Sequence, residues 1–194
     1  MSYSKMTEYK IMPEESFKII RNCSGCRCKK IYHSTDHFRV NANGNRLDVW
    51  LIFQCERCRH IYNLTIYERV NPLDISSEEY ERFLENDKNL ALYYGSNKHL
   101  FIKNKAEIAW DKIMFRLECI TGQNKSAEPK IVQAGESIVI YNPFGLKIRS
   151  EKLAAEVLHI TRNKVRELEK HGLIELRREC VEQKLEILIK KDMF

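Results

Sequence analysis

The chain has 194 residues, 43% of them hydrophobic, and a formal net charge of +6. That length suits one full domain or two to three small ones, and the composition is that of a packed protein, not a disordered one. No run approaches the roughly 18 apolar residues of a membrane span, and Met1 to Ile20 contain no apolar signal-peptide core, so a membrane partner is set aside and a cytoplasmic location is expected.

Seven cysteines are many for a reducing compartment, where disulfides rarely persist, and five of them lie between Cys23 and Cys58. Their spacing is Cys23-Ser24-Gly25-Cys26, then 28 residues, then Cys55-Glu56-Arg57-Cys58. Each CxxC lets two thiolates converge from one tight turn, and two such turns complete the tetrahedron that Zn²⁺ prefers. One structural zinc ion on Cys23, Cys26, Cys55 and Cys58 is therefore expected. A redox CxxC is disfavoured because no strand-helix unit of thioredoxin type flanks either pair. Cys28 offers an alternative to Cys26, and His33, His37 and His60 are within reach in sequence. Only Cys23 with Cys26 reproduces the spacing of the second pair, and the histidines read as strand or loop residues. Between the pairs, Phe38 to Asn41, a turn at Asn43-Gly44 and Leu47 to Gln54 form a hairpin, and Ile61 to Tyr67 supply a third strand, which makes a zinc ribbon over residues 1–70. Metal binding then contributes roughly 10 to 16 kcal/mol to folding.

Pro72 ends the ribbon, and residues 71–120 read as a helical connector. Ser76 with Glu79 forms a capping box. Tyr80, Phe83 and Leu84, then Leu90, Ala91, Tyr93 and Tyr94, recur at helical spacing around a break near Asn86-Asp87. Ala106 to Ile120 fit neither helix nor strand cleanly. Thr121 to Gly135 are polar and mark a linker, while Cys119 and Cys180, alone in apolar surroundings, read as small core residues.

Lys and Arg against Asp and Glu give 12 − 7 = +5 for residues 1–70, 7 − 9 = −2 for 71–120 and 14 − 11 = +3 for 121–194. Four thiolates on zinc subtract 2 from the first figure, so charge alone does not identify a nucleic-acid binder. Residues 136–194 carry the stronger signal, two short helices between Arg149 and Gly172. The first is capped by Ser150 and carries Leu153, Ala154, Val157 and Leu158. The second is capped by Thr161 and ends at Gly172, in a position that accepts left-handed backbone. Val165 and Leu168 face inward, and Arg162, Arg166 and Lys170, four residues apart, form one exposed basic stripe.

Arg149, Glu151, Lys152 and Leu153, then Thr161-Arg162, Val165, Gly172, Ile174 and Leu176, resemble the αL RNA-binding motif of a small-subunit ribosomal protein and several RNA-modifying enzymes. The resemblance implies phosphate contacts from Arg149, Lys152, Arg162 and Arg166. It departs at Glu151, at Thr161 and at Arg177-Arg178, where Asp, Ser and Asn-Gly are usual. Across the whole chain, His37 to Gly44, Leu47 to Ile52 and Cys55 to Cys58 resemble a bacterial family known as a domain of unknown function, which implies a bacterial cytoplasmic protein. The expectation is an α+β protein with a zinc ribbon, a helical connector and a C-terminal αL-like domain, binding structured RNA or the ribosome without catalysis and without a small-molecule substrate. No Gly-rich phosphate loop, activated serine or paired catalytic carboxylates can be read. The alternatives are a DNA-binding regulator of winged-helix type and a protein-interaction adaptor.

Overall fold

The computed structural model describes residues 5–121, 133–179 and 183–191. Its elements in chain order are β1 (Met6–Pro13), β2 (Ile19–Cys23), β3 (Cys28–Asn43), β4 (Arg46–Cys55), β5 (Ile61–Val70), α1 (Ser77–Leu84), α2 (Lys88–Gly95), α3 (Lys98–Lys103), β6 (Glu107–Ile108), β7 (Phe115–Cys119), β8 (Ser137–Tyr141), α4 (Ser150–Val157), α5 (Arg162–Lys170), β9 (Ile174–Glu179) and β10 (Lys184–Ile189). Of the described residues, 42% are in strands and 26% in helices, and the strands form two sheets of five. This corrects the α+β expectation of a ribbon, a helical connector and an αL domain. The helices do not form a layer of their own: α1, α2 and α3 pack on strands of the first sheet, and α5, with α4 against it, packs on β9 of the second.

The chain divides into two compact units, Pro13–Phe115 and Met1–Met12 with Arg116–Phe194. In the first, the strand order is β5-β4-β3-β2-β6. Strict alternation along β4 buries Leu47, Val49, Leu51, Phe53 and Cys55 and turns the even positions away, so one face of the sheet seeks a cover. Helices α1 and α2 pack on β3, and α3 packs on β5. Phe83 of α1 meets Phe38 edge to face at 4.9 Å between ring centroids, and Phe101 of α3 lies between Phe17 and Phe53 at 5.9 and 6.1 Å. Helices α1 to α3 of the segment read as a connector are thus the second layer of the ribbon's own sheet.

Local signals set the ends of these elements. Ser76 accepts from the N–H of Glu79 at 3.2 Å and starts α1. Asn86 takes a left-handed φ of 55°, and Asp87 accepts from Leu90 N–H at 2.7 Å, so the chain breaks where expected and α2 begins anew. The hairpin loop is Gly44-Asn45, one residue later than the Asn43-Gly44 reading, and only Gly44 has a positive φ, 59°. That is the pattern of a turn with glycine first. Beyond α3, the Asn104 side chain accepts from Thr65 N–H and donates to Thr65 C=O, both at 2.9 Å, along the outer edge of β5. The ambiguous stretch 106–120 resolves into β6, a turn of 3₁₀ helix at Trp110–Lys112, and β7.

The second unit has the strand order β7-β1-β8-β10-β9. Here β1 runs parallel to β8, Met6 beside Ser137, and β10 lies antiparallel between β8 and β9. The core combines Ile138, Ile140, Ile174, Leu185, Ile187 and Ile189 of the strands with Leu153, Ala154, Val165 and Leu168 of α4 and α5. Thr161 caps α5 through Lys164 N–H at 3.2 Å, and Gly172 follows it at φ 67°. The cap of α4 is Arg149 and not Ser150, which is its first helical residue, and the Arg149 side chain makes no capping bond. The exposed Cys119 donates to Thr121 C=O at 3.2 Å, which corrects its reading as a core residue. Cys180 and most of the Thr121 to Gly135 linker lie outside the described residues. Among the described residues, no helix is long and apolar enough to cross a membrane.

Candidate metal centre

Both cysteine pairs sit on turns built alike. In the first, the N–H of Arg27 donates to Cys23 C=O at 2.7 Å. In the second, Arg59 donates to Cys55 C=O at 2.9 Å. Arg27 and Arg59 hold left-handed φ values of 56° and 59°, which turns the chain sharply enough for both sulfurs of a pair to face the same point. Pairing of β2 with β3, β3 with β4 and β4 with β5 then carries the two turns to one end of the sheet.

There the sulfurs of Cys23, Cys26, Cys55 and Cys58 lie within 4.8 Å of one another. Cys23 Sγ and Cys58 Sγ are 3.3 Å apart, and Cys26 Sγ and Cys55 Sγ are 3.9 Å apart. A tetrahedral ion with metal–sulfur bonds of about 2.3 Å needs sulfurs about 3.8 Å apart, so the cluster is of the right size. Gly25 fits the same picture, because a Cβ built there would stand 3.0 Å from Cys58 Sγ. The turn passes the cluster where a side chain would intrude. Four cysteines therefore form a group that could hold a metal ion, and Cys28, exposed at the start of β3, stands outside it.

The protons on this cluster are unevenly held. The hydroxyl of buried Tyr32, then the backbone N–H of Cys26 and the thiols of Cys58 and Cys55, lower the pKa of Cys23 to about 6 against the opposing effect of burial. Burial, then bonds from Cys58 and Cys23, push Cys26 up to about 12. Four thiolates crowded this closely repel one another, so a dication would displace the remaining protons on binding. Tyr32 was missed in the sequence. It stands opposite Cys55 in the β3–β4 register, and only that register places it on the cluster's face. His60, one of the histidines expected as strand or loop residues, precedes β5, and its Nε2 lies 2.8 Å from Ser24 Oγ, which ties one turn to the other. His37 bonds Thr35 C=O through Nδ1 at 2.7 Å, and neither His33 nor His37 belongs to the cluster.

The basic residues fall elsewhere. Arg162, Arg166 and Lys170 are all exposed on α5, opposite buried Val165 and Leu168. Arg149, the cap residue of α4, and Lys152, in its first turn, are exposed. The arginine pair that departs from the αL pattern is engaged. Arg177 pairs with Glu175 at 2.9 Å, and Arg178 donates to Ile148 C=O at 2.9 Å. The strand runs through both, so the hairpin forms without the usual Asn-Gly.

A family model described as a protein of unknown function (DUF1062) matches residues 40–180, more than half of the chain. It takes in Cys55, Cys58 and both C-terminal helices, and begins after the first cysteine pair. No curated protein and no solved structure matches the chain.

Proposed function

The chain belongs to the DUF1062 family, and we propose that it is a non-catalytic nucleic-acid-binding protein of the bacterial cytoplasm that carries one structural zinc ion and engages structured RNA, free or in the ribosome. The observation that carries this reading is the stripe on α5. Arg162, Arg166 and Lys170 are exposed and form no ion pair among the described residues, while the helix is anchored by Val165 and Leu168 on its other side. Cations so placed can meet phosphates without disturbing the core. With nine residues, α5 is about 13 Å long, which suits local RNA shape better than it fills a major groove. Zinc is the ion because four cysteine sulfurs suit it and leave no position open for water or substrate, which makes the site structural.

One observation favours duplex DNA as a second reading. The chain order β8-α4-α5-β9-β10, with β10 between β8 and β9, is a helix pair followed by a hairpin, as in winged-helix DNA binders. Affinities for a structured RNA and for a DNA duplex of equal length, measured over a range of salt, separate the two. RNA should bind more tightly, and the double variant Arg162→Glu with Arg166→Glu should weaken it and lower the salt slope by about one per lost contact. Preference for one DNA sequence would favour the second reading. Equal binding with an unaffected variant would leave a protein-interaction adaptor.

A further inference from the structure

One thiol stands beside the metal centre without belonging to it. Cys28 is exposed and opens β3 directly opposite Cys23, the last residue of β2. Direct partners in an antiparallel pair project to the same face with Cα atoms about 4.5 to 5.5 Å apart, inside the span of about 4.4 to 6.8 Å that a disulfide bridges. The likeness of the two turns sharpens the point. Cys28 follows Arg27 as His60 follows Arg59, so the two residues hold matching places, and only the first turn has a sulfur there. His60 is engaged with Ser24, whereas Cys28 makes no side-chain hydrogen bond among the described residues. Cys23, by contrast, is 1% exposed, so an oxidant from solvent reaches Cys28 first.

We infer that Cys28 is an oxidation site that opens the metal centre, an inference that rests on the zinc reading above. Hydrogen peroxide oxidises the Cys28 thiol to a sulfenic acid and leaves as one water. The Cys23 sulfur then attacks the Cys28 sulfur, the S–S bond forms, and the sulfenic oxygen departs with a proton from solvent as a second water. The two cysteines give up two electrons and the peroxide accepts them. Cys23 exchanges its bond to the ion for the disulfide, three sulfurs remain, and the ion is released. A dithiol reductant reverses the step and restores the site.

The test uses the full chain loaded with zinc, a chromogenic chelator and hydrogen peroxide. The wild-type chain should release its zinc, a dithiol should allow reloading, and peptide mapping without reduction should find Cys23 joined to Cys28. Cys28→Ser should hold zinc as well as wild type beforehand and release it at least about tenfold more slowly. Cys119→Ser, in the other unit, should behave as wild type. Release from Cys28→Ser at the wild-type rate, or a disulfide between other cysteines, would overturn the inference. Loss of zinc from Cys28→Ser before any oxidant would overturn it too, by making Cys28 a ligand. A wild-type chain that binds no zinc would remove the metal reading and this inference together.

Discussion

The sheet beneath the cysteines is stitched from neighbours in sequence, with β2, β3, β4 and β5 following one another as antiparallel strands, whereas the other sheet sets Met6 beside Ser137. Neighbouring strands cost little loop entropy to bring together, and the first sheet adds a cluster that can be tied by an ion at one end. Among the described residues the second sheet has no such tie. Its β1 arrives from the far end of the chain, and its closure depends on apolar residues such as Ile140 and Ile187, at 1% and 0% exposure. Two sheets of equal strand number thus differ in what can hold them: both rest on distributed packing, with Leu51 and Phe53 of the first at 0% exposure, and the first has in addition a cysteine cluster that an ion could tie.

The largest effect should come from breaking the tie. Cys26→Ser should lose zinc and, with it, about 10 kcal/mol or more of support for the first sheet. Hydrogen exchange should show protection lost from β2 to β5 and kept in β8 and β10. Simultaneous loss from both sheets would mean that the units do not differ as described. A smaller effect is expected in the second sheet from Ile187→Ala in the interior strand β10. The cavity left should cost about 2 to 5 kcal/mol, seen as a lower denaturation midpoint for that unit with zinc content unchanged. Loss of zinc from this variant would contradict the division.

The smallest effect concerns pH. Arg177 first, then Lys190 at 2.6 Å, hold the Glu175 carboxyl down from 4.5 to about 2. A carboxylate with a lowered folded pKa favours the fold in its charged form. Its contribution is therefore complete above pH 4.5 and is lost as pH falls toward 2. The ions are partly exposed, so the effect is modest and screened by salt. Glu175→Gln should remove this part of the acid dependence of the second unit, as followed by circular dichroism, and leave its stability near neutrality only slightly lower.

The same contrast explains what the sequence displayed. The cysteine pairs, the Ser76 cap, the break at Asn86-Asp87, the Thr161 cap and left-handed Gly172 are all local, each set by residues within four positions. The run Leu47 to Gln54 after the hairpin turn announced β4 for the same reason. What escaped depends on distance along the chain. Nothing near Met6 says that it will pair in parallel with Ser137, and nothing near Glu107 says that it will extend a sheet beside Ile20. The length of β3 was hidden by its own irregularity. Asp36 takes a left-handed φ of 57° and the register shifts between Ser34 and Phe38, which interrupts the period of two. The α+β expectation followed from these omissions, since unread strands made the helices look like a separate layer. At the metal centre the four sulfurs were legible because spacing alone brings them together. Tyr32 was not, because its bond to Cys23 requires the register as well.

The amide of Asn104 has a bearing on how this protein behaves among other chains. A ten-residue strand at the margin of a sheet is an open template, and β5 is such a strand. By offering one acceptor and one donor to Thr65, Asn104 occupies the place that a peptide group of another molecule would take, and Lys103 Nζ adds a bond to Ile66 C=O at 3.4 Å. A side chain here stands in for a missing strand. The protein thereby obstructs, from within its own chain, a route to fibrils and to strand-exchanged dimers at this margin.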